Sequence, residues 1–393
     1  MEQSWRWFGP RDRVTLADAR QAGVETIVSA LHDIPIGEVW PVEAIEYHQE
    51  LVRAAGLEWT VVESLDVSER IKLREPGFEQ DIERYIQSLR NLAACGIRVV
   101  AYNLMPVFTW MRTELEYPLP TGATATRFDA TAFAAFDVCE LKRKGAEEEW
   151  GEERCRAARA LLKILSQGDR DRLFATILQG LPGGCGDFTL EDARRGIARY
   201  AGLDCASFRA NAAEFLKAVC PVSEELGIRL AVHPDDPPRT LFGLPRIVST
   251  EEDIAYLLSQ WTGEANGVTF CTGALGVRAE NDLLAMARRF APRIWFAHLR
   301  STERETDEMS FHEAAHLEGD ADLVGIVGEL VREERRRRRA GDARSLPFRP
   351  DHGQQLLTDR ERHAQAGYPA IGRLRGLAEL RGVMRACERF LPA

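Results

Sequence analysis

Four residues in the second half of the chain, His233, Cys271, His298 and Asp351, are of the types that together bind a divalent metal. Two imidazoles, a thiolate and a carboxylate suit Mn, Fe, Co or Zn, and ligand type does not decide among these. Each closes a run that reads as a buried strand: RLAV before His233, GVTF before Cys271, RIWFA before His298 and LPFRP before Asp351. Pro234 and the pair Pro237 and Pro238 cannot donate to a sheet, so the chain must leave its strand directly after His233. One donor at each of several strand ends is an arrangement that gathers distant positions into one coordination sphere. Asp235 and Asp236 follow at once, placed either to orient His233 or to make the turn.

Two other patterns compete for attention. His312, Glu313 and His316 form HExxH, and with Gly319 and Asp322 they approximate a longer metalloprotease pattern. The segment follows directly on the His298 strand, however, and Gly319 curtails any helix. It reads instead as a loop over the mouth of the fold, with His312 or His316 touching substrate. The run Arg335 to Arg339 follows Glu333 and Glu334 and precedes Gly341 and Asp342, which is a solvated helix end in a variable segment at about 332–345.

The elements that must position these residues repeat along the chain. Strand-like runs at 23–31, 57–65 and 97–102 alternate with helical spacing at 41–55 and 78–95. The second half repeats the rhythm, with helical stretches at 251–261 and 280–290 between the donor-bearing strands. Seven or eight such units in 393 residues predict one (β/α)8 TIM barrel over 1–393, with an irregular insertion at about 104–151 that hides one strand. No GxGxxG follows the first strand, so an open dinucleotide-binding sheet lacks its usual signal. LPGG at 181–184 reads as a turn.

Composition narrows the partners. A net charge of -10 disfavours a general nucleic-acid surface, which needs positive potential. There is no apolar run near the ~20 residues of a membrane helix and no signal-like start, so a cytoplasmic protein independent of the membrane is expected. Eight cysteines lack a CxxC pair, and most read as reduced, packed thiols.

Several motifs taken together resemble the mannonate dehydratase family, whose members have a xylose-isomerase-like barrel. They are VVES at 61–64, YNLMPVFTWMRT at 102–113, AVHPDDPPRTLFGLPRIVST at 231–250, TFCTGALGVR at 269–278, FAHLR at 296–300, FHEAAHLEGD at 311–320, RPDHG at 349–353 and GYPAIGRLRGLAELRG at 367–382. The resemblance implies a hydro-lyase of hexuronate catabolism that dehydrates D-mannonate to 2-keto-3-deoxy-D-gluconate. It implies His233, Cys271, His298 and Asp351 as ligands to Mn2+ or Fe2+, and a homodimer acting on a small sugar acid. Tyr368 and His352, with Asp351, are the candidates for acid and base. Asn103, Arg239 and Arg349 are candidates for holding substrate oxygens, since arginine pairs with carboxylates in bidentate fashion. The family pattern has histidine where this chain has Ser68, and aspartate where it has Thr109. Both differences bear on which aldonate is accepted and on activity itself. A barrel isomerase or epimerase acting on a related sugar, and a non-catalytic sugar-acid binder, are the alternative readings.

Overall fold

Eight short runs, buried along most of their length, close into a parallel barrel in a computed structural model that describes residues 1–179 and 188–392. In chain order they are β1 (Glu2–Arg6), β2 (Thr26–Ser29), β3 (Glu58–Glu63), β4 (Val99–Asn103), β5 (Arg229–His233), β6 (Asn266–Cys271), β7 (Ile294–His298) and β8 (Pro347–Arg349). All neighbouring pairs are parallel, and β1 closes the ring on β8. Helices cover the outside, so both faces of each strand are buried and β6 and β7 have no exposed position. The barrel interior holds Val28, Val61, Ala101, Ala231, Trp295 and Phe296, and a much larger apolar layer lies between strands and helices.

Local chemistry starts and stops these helices. Thr250 and Asp253 form a reciprocal capping box at the start of helix Glu251–Ser259, and Thr15 with Asp18 does the same for helix Leu16–Gln21. Helix Phe78–Ala94 buries Tyr85, Leu89 and Leu92, four and three residues apart on one face.

The structure departs from the sequence expectations in three places. The eighth strand is not hidden in the insertion: it is β1, whose EQSWR sequence alternates too weakly to announce a buried stave. Between β4 and β5 the inserted chain runs well past residue 151 and carries a hairpin, Glu114–Pro118 with Thr124–Phe128. That hairpin joins Thr302–Arg304 and Phe311–Glu313, from after β7, in a four-stranded antiparallel sheet with its own aromatic core around Phe108, Phe133, Phe136 and Phe242. Residues 332–339 are the expected end of a helix, Leu323–Arg339, but that end is not wholly solvated. Its Arg337 is buried, pairs with Glu333 and lies over Trp295, which carries Arg229 as well. The stretch at 181–184 lies outside the described residues, as does Cys185. The seven other cysteines are free thiols, and among the described residues no helix is long and apolar enough to cross a membrane.

His48, on helix Val42–Ala54, packs against the rings of Trp7 and Trp59 with Nε2 2.9 Å from Ser29 Oγ. Burial lowers its pKa from 6.5 to about 4. The folded state therefore binds fewer protons than the unfolded chain between these values. The His48 contribution is complete above pH 6.5 and is lost as the pH falls towards 4, by up to about 3 kcal/mol. Denaturant unfolding of wild type and His48→Gln across that window is expected to show a steeper acid slope in the wild type. Parallel slopes would discount His48.

Candidate active site

The register of the barrel, not proximity in sequence, assembles the donor residues. Cys271 and His298 are Cα partners across β6 and β7, His298 is the partner of Arg349 across β7 and β8, and His233 is the partner of Asn103 across β4 and β5. His233, Cys271 and His298 are thus last residues of their strands, on one level at the C-terminal end of the barrel. Asp351 overshoots β8 by two residues, because Pro350 ends the ladder, and it adopts a left-handed backbone with φ 62. A non-glycine residue held there costs on the order of 1 kcal/mol or more, and such strain concentrates at functional sites.

One ligand atom from each of His233, Cys271 and His298 lies within 4.8 Å of the others. His233 Nε2 is 3.2 Å from His298 Nδ1, while Asp351 Oδ2 stands 3.6 Å from that Nδ1 and 3.7 Å from Cys271 Sγ. His233 Nδ1 is 2.7 Å from the Pro234 carbonyl, which accepts a hydrogen bond from the Nδ1–H and leaves the Nε2 lone pair facing the cluster. His298 Nε2 meets both Arg349 Nε at 3.1 Å and Glu63 Oε1 at 3.4 Å. When Nδ1 serves as a ligand, the Glu63 carboxylate is the acceptor for the proton on Nε2.

The electrostatics fit a cation. Burial, assisted by Arg349, lowers the pKa of His298 to about 4, so its ring stays neutral and able to coordinate. Burial also pushes the Cys271 thiol up, with Asp351 adding to the effect. A coordinated metal reverses that balance and holds the sulfur as thiolate. Burial alone would raise Asp351 and Glu63, yet both are held well below the usual carboxylate range, chiefly by Arg349. The donor set therefore suits a resident divalent metal, and His233, Cys271 and His298 form a possible metal site.

Beside the cluster stands a phenol and imidazole pair. Tyr368 Oη lies 3.1 Å from His352 Nε2, and His352 Nε2 is 3.5 Å from Asp351 Oδ1. Phe8 meets the tyrosine ring edge-on at 4.8 Å, and Trp110 packs on His352 at 5.6 Å. Gly367 has φ 80 and its Cβ would fall 2.9 Å from His352 Nδ1, so glycine is required there both by conformation and by space. Burial raises the Tyr368 pKa to about 12 and lowers that of His352. At neutral pH the pair is therefore phenol and neutral imidazole.

His233, Asp351, His352, Tyr368, Asn103 and Arg349 all line one cavity. Three residues considered for substrate contact stand elsewhere. Arg239 lies outside its lining, with Nη2 3.4 Å from the Glu308 carbonyl. His312 sits on the antiparallel sheet between Glu303 and Glu305. His316 is buried, bonds the Pro350 carbonyl at 2.7 Å and packs against Gly376. Asp235 and Asp236 do not orient His233. Asp235 accepts from Val248 N and Ser249 Oγ, while Asp236 is gripped by Arg112 and Arg300. Of the two departures from the family pattern, Thr109 faces the cavity, whereas Ser68 caps helix Glu69–Leu73 and donates to Asp81.

Residues that the sequence did not single out complete the wall: Arg6, Glu63, Trp110 and Arg300. Glu63 ends β3, where it meets Arg6, Arg349 and His298. Its position at a strand end, like that of His233, was the one available signal.

A family model described as D-mannonate dehydratase (UxuA) matches residues 1–391. The chain is 56% identical over 390 residues to the mannonate dehydratase of Chromohalobacter salexigens, covering 99% of this chain and 100% of that protein. It is 50% identical over 383 residues to that of a Marinomonas species, covering 98% of each. The crystal structure of mannonate dehydratase from Streptococcus suis serotype 2 superposes with a TM-score of 0.77 at 32% identity, covering 99% of this chain and 94% of the other.

Proposed function

The chain belongs to the D-mannonate dehydratase family, and on that premise we propose that it removes water from D-mannonate to give 2-keto-3-deoxy-D-gluconate. The observation that carries the reading is the placement of the Tyr368 and His352 pair beside the donor cluster, with His352 Nε2 3.5 Å from Asp351 Oδ1. In this reaction a proton leaves C2, hydroxide leaves C3, and the resulting enol becomes the ketone. The C2 proton is weakly acidic, because the charge it leaves behind must spread into a carboxylate that is already negative.

We assign His233, Cys271, His298 and Asp351 as the ligands of Mn2+ or Fe2+. A cation there supplies Lewis-acid stabilisation of that growing charge. Tyr368, protonated across the neutral range, is the acid at the C3 oxygen. His352, neutral and hydrogen-bonded to it, is the base for the C2 proton, and Asp351 holds the imidazolium that forms. Asn103 is available to a substrate hydroxyl, since its Oδ1 is buried without a partner. A cytoplasmic homodimer is proposed on the family resemblance alone, and sedimentation analysis decides the dimer.

Purified protein incubated with D-mannonate and Mn2+ or Fe2+ is expected to form a 2-keto acid. Metal-loaded protein that forms none rejects the reading, and an isomeric product without loss of water replaces it with an isomerase or epimerase.

A further inference from the structure

A dehydratase acting on an aldonate must hold a carboxylate, and the geometry narrows which arginine can do so. Arg349 has both terminal nitrogens committed, Nη1 to Asp351 and Nη2 to Glu63. Arg239 lies outside the cavity lining. Arg6, on the same wall, has Nη1 3.1 Å from Glu63 and a buried Nε without a partner, and it is the competing guanidinium. Arg300 is different. Its Nε is bound by Glu313 at 2.8 Å and its Nη1 by Asp236 at 2.9 Å, but the terminal Nη2 has no partner although the side chain is 1% exposed and lines the cavity. An N–H group buried in this way forgoes a hydrogen bond that water or a ligand would supply.

The guanidinium cannot swing to relieve this. Gly273 underlies its stem so closely that a Cβ there would come within 2.6 Å of Arg300 Cδ. Asp236, which fixes Nη1, also binds Arg112, and Arg112 stacks 4.6 Å from the Trp110 ring. Trp110 Nε1 is a second buried donor without a partner on the same wall. Arg300 Nη1 lies 3.8 Å from Asp351 Oδ2, beside the donor cluster.

We propose that Arg300 Nη2 receives the carboxylate of the sugar-acid substrate and that Trp110 Nε1 donates to a neighbouring substrate oxygen. The assignment rests on the dehydratase reading. As the proton leaves C2, negative charge builds on the carboxylate oxygens. A fixed, buried guanidinium N–H strengthens its bond as that charge grows, so it favours the transition state over the bound substrate.

Arg300→Met is expected to lower kcat/KM for D-mannonate by at least about 100-fold with wild-type metal content. It should also erase the preference for D-mannonate over the uncharged D-mannitol in direct binding. Trp110→Phe keeps the ring and removes only the N–H, with an expected loss of about tenfold. Metal loss in Arg300→Met, or an unchanged preference for the acid, overturns the proposal. Arg300→Met leaves Asp236 and Glu313 short of a partner, so a second measurement avoids dependence on its folding. A crystal structure of Mn2+-loaded Tyr368→Phe with D-mannonate is expected to show a carboxylate oxygen within about 3.2 Å of Arg300 Nη2. A carboxylate on Arg6, or away from any guanidinium, refutes it. Should the wild type fail to dehydrate D-mannonate, the dehydratase reading falls, while the position of the bound carboxylate still decides the role of Arg300.

Discussion

His298→Ala is expected to leave the purified protein without stoichiometric metal and to reduce D-mannonate turnover by more than about 10³-fold. The reason lies in how much of the cluster converges on one ring. His298 Nδ1 faces His233 Nε2 and Asp351, and its other nitrogen is held between Arg349 and Glu63. Alanine removes a ligand and the group that separates two carboxylates, so the remaining donors lose both their number and their spacing. Cys271→Ser is expected to act in the same direction, since a serine hydroxyl is a far poorer ligand than a thiolate for these cations. Glu63→Gln tests the outer layer: losing the charged acceptor behind His298 is expected to weaken metal binding by about 10 to 100-fold, with activity recovering in excess Mn2+. Elemental analysis beside turnover separates the cases. Full metal content in both His298→Ala and Cys271→Ser would remove His298 and Cys271 from the coordination sphere.

The grading of these effects follows from features that are unequally visible in a sequence. His233, Cys271 and His298 end runs of buried residues, and a parallel barrel puts such ends at one level, so their meeting is encoded in periodicity. The insertion obeys no period of that kind. Its hairpin pairs with a segment from beyond β7, and Phe311 is the partner of Phe128 across 182 intervening positions. β1 was illegible for a related reason: Gln3, Ser4 and Arg6 are polar, and only their enclosure by the rest of the barrel makes the strand a buried one.

Charged residues mark the limit of sequence reading more sharply. In isolation Glu63, Arg300 and Glu313 look like solvated side chains. In the fold Arg300 bridges Asp236, from the turn after β5, and Glu313, from the strand Phe311–Glu313, and all three groups are buried. Burial of ions is tolerated only with partners, and the partners are chosen by three-dimensional closure. Arg239 illustrates the converse. Its chemistry suggested a role at substrate, but the proline-rich turn leaves it outside the cavity lining, with Nη2 near the Glu308 carbonyl. The HExxH pattern is resolved in the same way: Phe311–Glu313 is an inner strand of the antiparallel sheet, so His312 and His316 do not share a helix face.

Tyr368→Phe is the second large effect, an expected loss of about 10² to 10⁴-fold in kcat with KM and metal content close to wild type. The phenol hydrogen-bonds His352 and no ligand of the cluster, so removing it should leave the metal site untouched. The same change separates acid from base. With Tyr368 as the acid, C2 deprotonation by His352 survives while departure of the C3 hydroxide stalls. D-Mannonate held on Tyr368→Phe in D2O should then exchange its C2 proton without forming the keto acid. In His352→Gln both exchange and dehydration should disappear, because the base at C2 is gone. If Tyr368→Phe abolishes exchange as completely as it abolishes dehydration, the tyrosine is the route by which the C2 proton leaves. His352 then acts through it, by way of the 3.1 Å contact between them.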